Sequence, residues 1–478
     1  MGFIKKRGGY IIGIAAAVAV LALGYFAMIK PSQANGANPN GTAIHIETDE
    51  RGSEYEVERQ LSYLEQLPET DTLVLWRWYE IGERGMFDLA VNIFKKTYPN
   101  VKVEMREFED RSEYETIRDA ELPAGKGPDL LLSNSYSFPD IYKVMDADLF
   151  CDLNDFIGGD PDFDLGEYKK VVLDGGVYRG KRYAMPLSYV TKMILTTEET
   201  LASAEMDIQK LRSFDGLAGE VKKYLDKHSS MELVYDRQFQ GLNMFFPWCG
   251  LEYMDTEKKT FDLGGDDFRK VMEAYKDIYK QDWELAELPT VISERDTADA
   301  LINGDSVFGK IVSWHNFAYT YGALSSNGHS PVYFDFPSIN GKRGAQTSSI
   351  AVVLRASPNK LNAYRFLKIL LSEQIQGNPQ DVTIVEFPVL ESAVDIHAKY
   401  RFEDIEQKQY EGRLISISEE KIMREFSALA IDIDYCELTV PRINFIIYTH
   451  MEPYFRGEDT YGNCLSKTRN ELALYLSE

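Results

Sequence analysis

From Tyr10 to Ile29 the chain runs without a charge, Tyr10-Ile-Ile-Gly-Ile-Ala-Ala-Ala-Val-Ala-Val-Leu-Ala-Leu-Gly-Tyr-Phe-Ala-Met-Ile29. As a helix rising about 1.5 Å per residue, this stretch covers about 30 Å, the thickness of a bilayer's hydrocarbon core. Lys5, Lys6 and Arg7 precede it, and a basic flank predicts that end on the cytoplasmic side and everything after Lys30 outside the cell. Residues 1–30 therefore read as a membrane anchor. The rival reading is a cleaved signal peptide, for which Ser32-Gln-Ala34 supplies small residues at a cleavage-site spacing, although such peptides usually have an apolar core of only about 7–15 residues. No cysteine follows the run, which excludes lipid attachment at that point.

Beyond the anchor the pattern breaks into short segments. Residues 31–45 are rich in Gly, Asn, Ala and Pro and show no period, which predicts a flexible tether. Residues 46–69 are acidic, with a short helix expected around Tyr55–Leu67, so 31–70 reads as a flexible acidic linker and the folded body is expected from about Asp71. There, Asp71-Thr-Leu-Val-Leu-Trp76 predicts a buried parallel strand that runs into a polar-aromatic loop, Arg77–Gly82. Met86, Leu89, Ala90 and Ile93 share one helical face, and Tyr98-Pro99-Asn100 ends that helix. Val101, Val103 and Met105 alternate as a second strand, and Gly127-Pro-Asp-Leu-Leu-Leu132 supplies a third. Strand, helix, strand in this order predicts a right-handed βαβ unit and an α/β fold. Ligands of such sheets sit beyond the carboxyl ends of the strands, which puts Trp78, Glu80, Asn134 and Tyr136 on one candidate rim.

Further on, Gly180-Lys-Arg-Tyr-Ala-Met-Pro186 predicts a hairpin-like turn and a stiff extended segment before a strand at Lys192–Leu195. Amphipathic helices are expected near Phe268–Tyr279 and Asn359–Leu371. The second has Ser357 as its expected N-cap, Pro358 at the first helical position, and a buried stripe of Ala363, Phe366, Leu367, Leu370 and Leu371. No repeat is evident. An alternating α/β body of this length, divided by extended segments, predicts two lobes that exchange the chain more than once.

Composition narrows the partners. With 44% hydrophobic and 12% aromatic residues the 478-residue chain is not generally disordered. Its 52 Lys and Arg against 76 Asp and Glu give −24, which argues against nucleic acid. The first 34 residues hold four basic side chains and no acid, so the external remainder carries −28. That acidity serves solubility more than ligand choice. Cys151, Cys249, Cys436 and Cys464 show neither CxxC nor zinc spacing. Buried thiols are expected, and Cys436–Cys464 is the first pair to test for a disulfide because those two share a region.

The catalytic inventory is thin. There is no HExxH, GxSxG, P-loop, dinucleotide fingerprint or Cys/His cluster, and the six histidines are scattered. Asp160-Pro-Asp-Phe-Asp164 has the carboxylates of a calcium-loop opening, but Leu165 and Val171 stand where Gly and Glu are needed, so a capping turn is expected instead. No spacing singles out a glycosidase-style carboxylate pair. No cofactor or metal is implied. Tryptophans stand out near strand ends: Trp76 and Trp78, Trp248, and Trp314 before His315 and Asn316. Trp76, inside a strand run, is expected in the core. For Trp78, Trp248 and Trp314, stacking on a sugar ring competes with core packing.

Ten landmarks then fall in register: Leu73-Val-Leu-Trp76; Tyr98-Pro-Asn-Val-Lys-Val103; Ala124-Gly-Lys-Gly-Pro-Asp-Leu130; Ala147-Asp-Leu-Phe-Cys-Asp-Leu153; Gly180–Pro186; Ala300-Leu-Ile-Asn-Gly304 with Val312-Ser-Trp314; Phe336-Pro337; Ala356-Ser-Pro-Asn-Lys360; Phe387-Pro388; and Tyr454-Phe-Arg-Gly457 with Leu474–Glu478. Over residues 71–478 the chain resembles the extracellular solute-binding proteins of family 1, the sugar receptors of ABC importers related to maltose-binding protein. The resemblance implies a type II, two-lobed periplasmic-binding-protein-like α/β fold whose chain crosses the hinge several times, with residues 71–185 and 338–380 in one lobe and 186–337 and 381–478 in the other. It also implies a monomer that closes on a carbohydrate in the interlobe cleft and delivers it to a permease. Carried over by position, Glu80 resembles the acid that accepts hydroxyl protons. Ser133 and Asn134 fall where polar ligand contacts follow the third strand, Tyr189 lies just past the hinge Pro186, Trp314 matches the cleft aromatic, and Asn444 lies in a C-terminal segment that sometimes adds a contact. Thr196-Thr197 and Gly462-Asn-Cys464 depart from the family's Tyr-Asn and Glu-Glu-Ala. Cys464 thus stands where a small buried Ala is usual, which favours a packed thiol. Alternatives of other classes are a ligand-sensing or scaffold subunit of a membrane signalling complex and an extracytoplasmic carbohydrate-active enzyme.

Overall fold

The computed structural model describes residues 42–477 except 49–53, 61, 79–83, 135–136, 139, 192, 229–231, 235–248, 279–293, 310–313, 383–386, 407–408, 411–412, 415–417 and 439. The chain divides into two units, Met1–Leu67 and Pro68–Glu478. In the first, strands Thr42–Thr48 and Glu54–Gln60 pair antiparallel, Thr42 opposite Gln60 and Thr48 opposite Glu54. The helix expected around Tyr55–Leu67 is thus a strand followed by one turn of helix, Tyr63–Gln66. The physical reason is period: Ile44 and Ile46 alternate with Ala43, His45 and Glu47, and Tyr55 and Val57 alternate with Glu54, Glu56 and Glu58, a two-residue repeat that outweighs the helix preference of glutamate. Ser62 closes a capping box with Glu65, each side chain accepting the other's backbone N–H at 3.4 and 2.9 Å.

The second unit is mixed α/β, and two of the clusters of buried apolar side chains among its described residues frame the site. A five-stranded sheet runs in the order Lys102–Phe108, Thr72–Trp78, Leu130–Asn134, Ser349–Val353, Met185–Pro186. Its first three strands are parallel, and Ser349–Val353 is antiparallel to both of its neighbours. The helix Arg84–Thr97 connects the first parallel pair, as the βαβ reading requires. Trp76 is buried edge-on against Phe108, ring centroids 5.4 Å apart, within a core that includes Phe138, Phe150, Ile350 and Val352. Elsewhere, Met193–Thr197 pairs antiparallel with Pro331–Asp335, and Glu232–Val234 lies parallel to Ser306–Phe308. Gly309 N–H and the Thr196 hydroxyl reach Leu195 and Val307 carbonyls, both at 2.7 Å, and join those pairs. Helices Phe214–Lys227, Asp266–Ile278, Pro441–Phe455 and Tyr461–Ser477 pack on this side, in a second core with Val221, Tyr275, Phe334, Ile447 and Leu472.

Between the cores lies a sheet of four short strands, in the order Phe387–Pro388, Ser188–Val190, Gly344–Thr347, Tyr435–Glu437. Two of its strands are crossings. Met185–Pro186 leads through Ser188–Val190 to Met193–Thr197, and Pro331–Asp335 leads through Gly344–Thr347 to Ser349–Val353. Pro186 and Pro388 suit these short extended passages, since their fixed φ costs nothing there.

The helix expected at Asn359–Leu371 spans Lys360–Leu371 and buries the whole expected stripe. Its cap differs from expectation. Asn359 takes the N-cap position and Ser357 is drawn aside, its hydroxyl donating to Asp129 at 2.6 Å while it accepts Asn359 N–H at 2.9 Å. A buried carboxylate outcompetes a local cap because it gathers several donors at once. Asp164 caps the short turn Leu165–Glu167 by accepting Gly166 N–H at 2.8 Å, and Asp160 accepts the Tyr364 hydroxyl at 3.0 Å. The Asp160–Asp164 carboxylates therefore work as turn and packing anchors. All four cysteines are free thiols, with Cys151, Cys249 and Cys464 buried.

Candidate functional site

The rim of the first sheet begins with Trp78. Strand Thr72–Trp78 continues through Arg77 and Trp78, where a loop was expected, because buried Arg77 is held at the strand end by Glu107 at 3.0 Å and Asp88 at 3.1 Å. Trp78 packs half-buried on the first core, with the Arg111 guanidinium 5.8 Å from its ring. Its Nε1 is buried and has no hydrogen-bond partner among the described residues. An indole N–H left without an acceptor costs free energy. Pairing of Arg77 with Leu132 places Trp78 beside Ser133 at the same sheet edge.

Ser133 and Asn134 serve the scaffold. The Tyr114 hydroxyl donates to Ser133 Oγ at 3.3 Å, and Asn134 Oδ1 accepts the Ser137 N–H at 2.9 Å and its hydroxyl at 2.8 Å. Arg118, buried, holds the same turn from below: it donates to the Ser137 carbonyl, pairs with Asp119 at 2.8 Å and lies 4.5 Å from the Phe138 ring. Tyr189 is fully buried in the connecting sheet, stacked on Phe387 at 5.3 Å, and its hydroxyl donates to the Ala430 carbonyl at 2.9 Å. In this geometry it fastens the hinge to the helix Glu419–Ile431 and offers no face to a ligand. Glu80, Tyr136 and Trp248 lie outside the described residues. Trp314 begins the helix Trp314–Ser326, and its side chain lies outside the described set.

Asn444 belongs to a second grouping, one that sequence reasoning reached only in part. Its Oδ1 accepts the Tyr253 hydroxyl at 3.4 Å. Tyr253 packs against the second core and Tyr142, on the helix Ile141–Asp146, packs against the first. Glu437, at the end of the connecting strand Tyr435–Glu437, acts electrostatically on both phenols. Burial pushes both phenols up, with the Glu437 charge adding to the effect. Glu437 is reached by solvent, yet enough protein surrounds it that burial, reinforced by Glu252, pushes its carboxyl up to about 7. The only sequence signal for it was its place just before Val440-Pro-Arg-Ile-Asn444.

A raised carboxyl stabilises the fold fully below about pH 4.5 and loses that contribution as pH rises through about 7. Glu437→Gln is therefore expected to raise the melting temperature over the native chain at pH 8 and to leave it unchanged at pH 4. Equal shifts at both pH values in thermal denaturation would contradict this.

Contacts tie the halves together beside this grouping. The Tyr178 hydroxyl donates to the Thr256 carbonyl at 3.2 Å, Arg179 N–H to Glu257 Oε1 at 2.8 Å, and the Tyr475 hydroxyl to Asp140 at 2.8 Å; Lys259 pairs with Asp146 at 2.9 Å. A hollow of ≈ 500 Å³ lies elsewhere, lined by Arg212, Asp215, Lys270, Asp335 and Arg343 among others. None of the site residues expected from the sequence lines it, and four of its charges pair, Lys270 with Asp215 at 3.6 Å and Arg343 with Asp335 at 2.9 Å. Among the described residues no group of three or more His, Cys, Asp or Glu could hold a metal, and no helix is long and apolar enough to cross a membrane. Tyr10–Ile29 lies outside them.

Solved structures show the same architecture. An ABC transporter solute-binding protein of Thermotoga lettingae TMO, bound with α-D-tagatose, aligns with TM-score 0.55 at 16% identity, covering 85% of this chain and 100% of its own. The sugar-binding protein MalE of Xanthomonas citri aligns with TM-score 0.60 at 14% identity, covering 85% and 97%. The cyclic α-maltosyl-1,6-maltose binding protein of Arthrobacter globiformis aligns with TM-score 0.58 at 15% identity, covering 85% and 98%. At such identities the likeness speaks for the fold, a two-lobed binding-protein architecture. Residues 90–403, about two thirds of the chain, match the model of the bacterial extracellular solute-binding proteins. Matched by that model over most of its length, the chain belongs to the bacterial extracellular solute-binding protein family.

Proposed function

We propose that this protein captures a carbohydrate outside the cell and delivers it to the permease of an ABC importer. In this reading residues 71–185 and 338–380 form one lobe and 186–337 and 381–478 the other, the four-stranded sheet is the hinge, and Tyr10–Ile29 tethers a monomer to the membrane. The observation that carries it is Trp78: a half-buried indole at the carboxyl edge of the first sheet, its Nε1 without an acceptor. An aromatic face stacks on a sugar ring while the N–H donates to a hydroxyl. Three neighbours of the same architecture are named for sugars: one is bound with α-D-tagatose, one is called sugar-binding, and one binds cyclic α-maltosyl-1,6-maltose. The work is ligand-selected closure, with no covalent step.

A thermal-shift screen of the full chain in detergent, against mono- and oligosaccharides, amino acids, peptides and polyamines, tests the ligand class. Ligand at a hundredfold its dissociation constant stabilises the native state by about 2.7 kcal/mol, so at least one saccharide is expected to raise the melting temperature by several degrees. Stabilisation by non-sugars alone would overturn the carbohydrate reading.

A further inference from the structure

We propose that the hollow lined by Arg212, Lys270, Asp335 and Arg343 binds a small oxyanion, a phosphate or carboxylate group, at a site separate from the rim at Trp78. The hollow of ≈ 500 Å³ is framed by three segments. One is the start of the helix Phe214–Lys227 with Arg212 and Ser213 before it, the second is the start of the helix Asp266–Ile278, and the third is the loop that leaves strand Pro331–Asp335 and ends at Arg343. Arg212, Lys270, Lys342 and Arg343 line it against Asp215, Asp267 and Asp335, so basic side chains outnumber acids there while the whole chain carries −24. An anion meets a favourable local field at this place on an otherwise acidic protein.

Two guanidinium groups of the hollow have donors to spare. Arg212 is exposed and makes no hydrogen bond or ion pair among the described residues. Arg343 is largely buried and held in place: one terminal nitrogen donates to the Ala428 carbonyl at 2.9 Å and reaches that of Asp432 at 3.4 Å, and the other pairs with Asp335 at 2.9 Å. Its Nε is buried without a partner among the described residues, and an unsatisfied charged donor is costly. The guanidinium fork matches the oxygens of a carboxylate or phosphate. The helix Phe214–Lys227 adds to these: the Ser213 hydroxyl accepts Gly216 N–H at 3.2 Å, while the N–H groups of Phe214 and Asp215 have no acceptor within the helix. The acids leave the site open. Asp215 meets Lys270 at 3.6 Å and Glu252 meets Lys342 at 3.3 Å, both between exposed side chains, and such pairs contribute little and re-form readily around another anion. Asp335 takes up one terminal nitrogen of Arg343, and Asp267 is exposed at the start of its helix. A polyamine would instead meet the four basic side chains.

Calorimetric titration of the full chain in detergent with inorganic phosphate and with citrate, against potassium chloride at matched ionic strength and neutral pH, tests this. At least one of the two anions is expected to bind the native chain at a single site, phosphate alone marking a phosphate group and citrate alone a carboxylate. Arg212→Gln breaks no bond within the protein, so it should weaken that binding about tenfold and leave the melting temperature in chloride unchanged. Asp335→Asn keeps the side chain's shape and removes the competing charge, and should tighten the binding. No binding of either anion beyond that of chloride overturns the site. Equal affinity in the native chain and Arg212→Gln, or weaker binding in Asp335→Asn, places the anion elsewhere and overturns it as well. Each of these results leaves the saccharide reading of Trp78 standing.

Discussion

Asp129→Ala is expected to lower the stability of the body by about 2–6 kcal/mol, the cost of two buried donors left without acceptors. Asp129 is 3% exposed and accepts Val74 N–H at 2.6 Å, the Ser357 hydroxyl at 2.6 Å and the Asn359 amide at 3.0 Å. One carboxylate therefore joins the first strand, the start of the third and the beginning of the helix Lys360–Leu371, segments more than two hundred residues apart in sequence. Alanine leaves a backbone N–H and a side-chain amide buried without acceptors, each costing about 1–3 kcal/mol. Asp129→Asn, which keeps the shape and one acceptor oxygen, should lose less. Urea unfolding of the full chain measures both, and a loss under 1 kcal/mol for the alanine variant would contradict this role.

Trp78→Ala is expected to weaken saccharide binding by at least tenfold, or about 1.4 kcal/mol, through loss of a stacking face and a donor together. Because Trp78 also packs on the first core, truncation should lower the melting temperature too, so the informative partner is Trp78→Phe. Phenylalanine keeps an aromatic face and removes Nε1, and should retain stability while losing part of the affinity. Unchanged saccharide affinity in both variants by calorimetry would remove Trp78 from the site.

What the sequence disclosed follows a physical line. Thr72–Trp78, the helix Arg84–Thr97 and the buried stripe Ala363–Leu371 were legible because each is written in local periodicity. The landmarks ending in Pro186 and Pro388 both fall on short strands, Met185–Pro186 and Phe387–Pro388. The cap at Asn359 was misread because Ser357 is claimed by Asp129, a partner 228 residues away that no local pattern announces. The hairpin Thr42–Gln60 was missed because glutamate-rich composition was weighed above its alternation. For the site, the strand-end rim singled out Trp78 and Asn134 and family position added Ser133; Ser133 accepts the Tyr114 hydroxyl and Asn134 holds the turn at Ser137. Tyr189 was placed by its distance from Pro186; strand alternation points it instead at Ala430.

Capture between the cores is tested most directly by small-angle X-ray scattering of the full chain, with and without the saccharide that stabilises it most in the thermal screen. Closure of two lobes about the four-stranded hinge predicts a smaller radius of gyration with saturating saccharide than without it. Superimposable scattering curves under saturation would contradict the account.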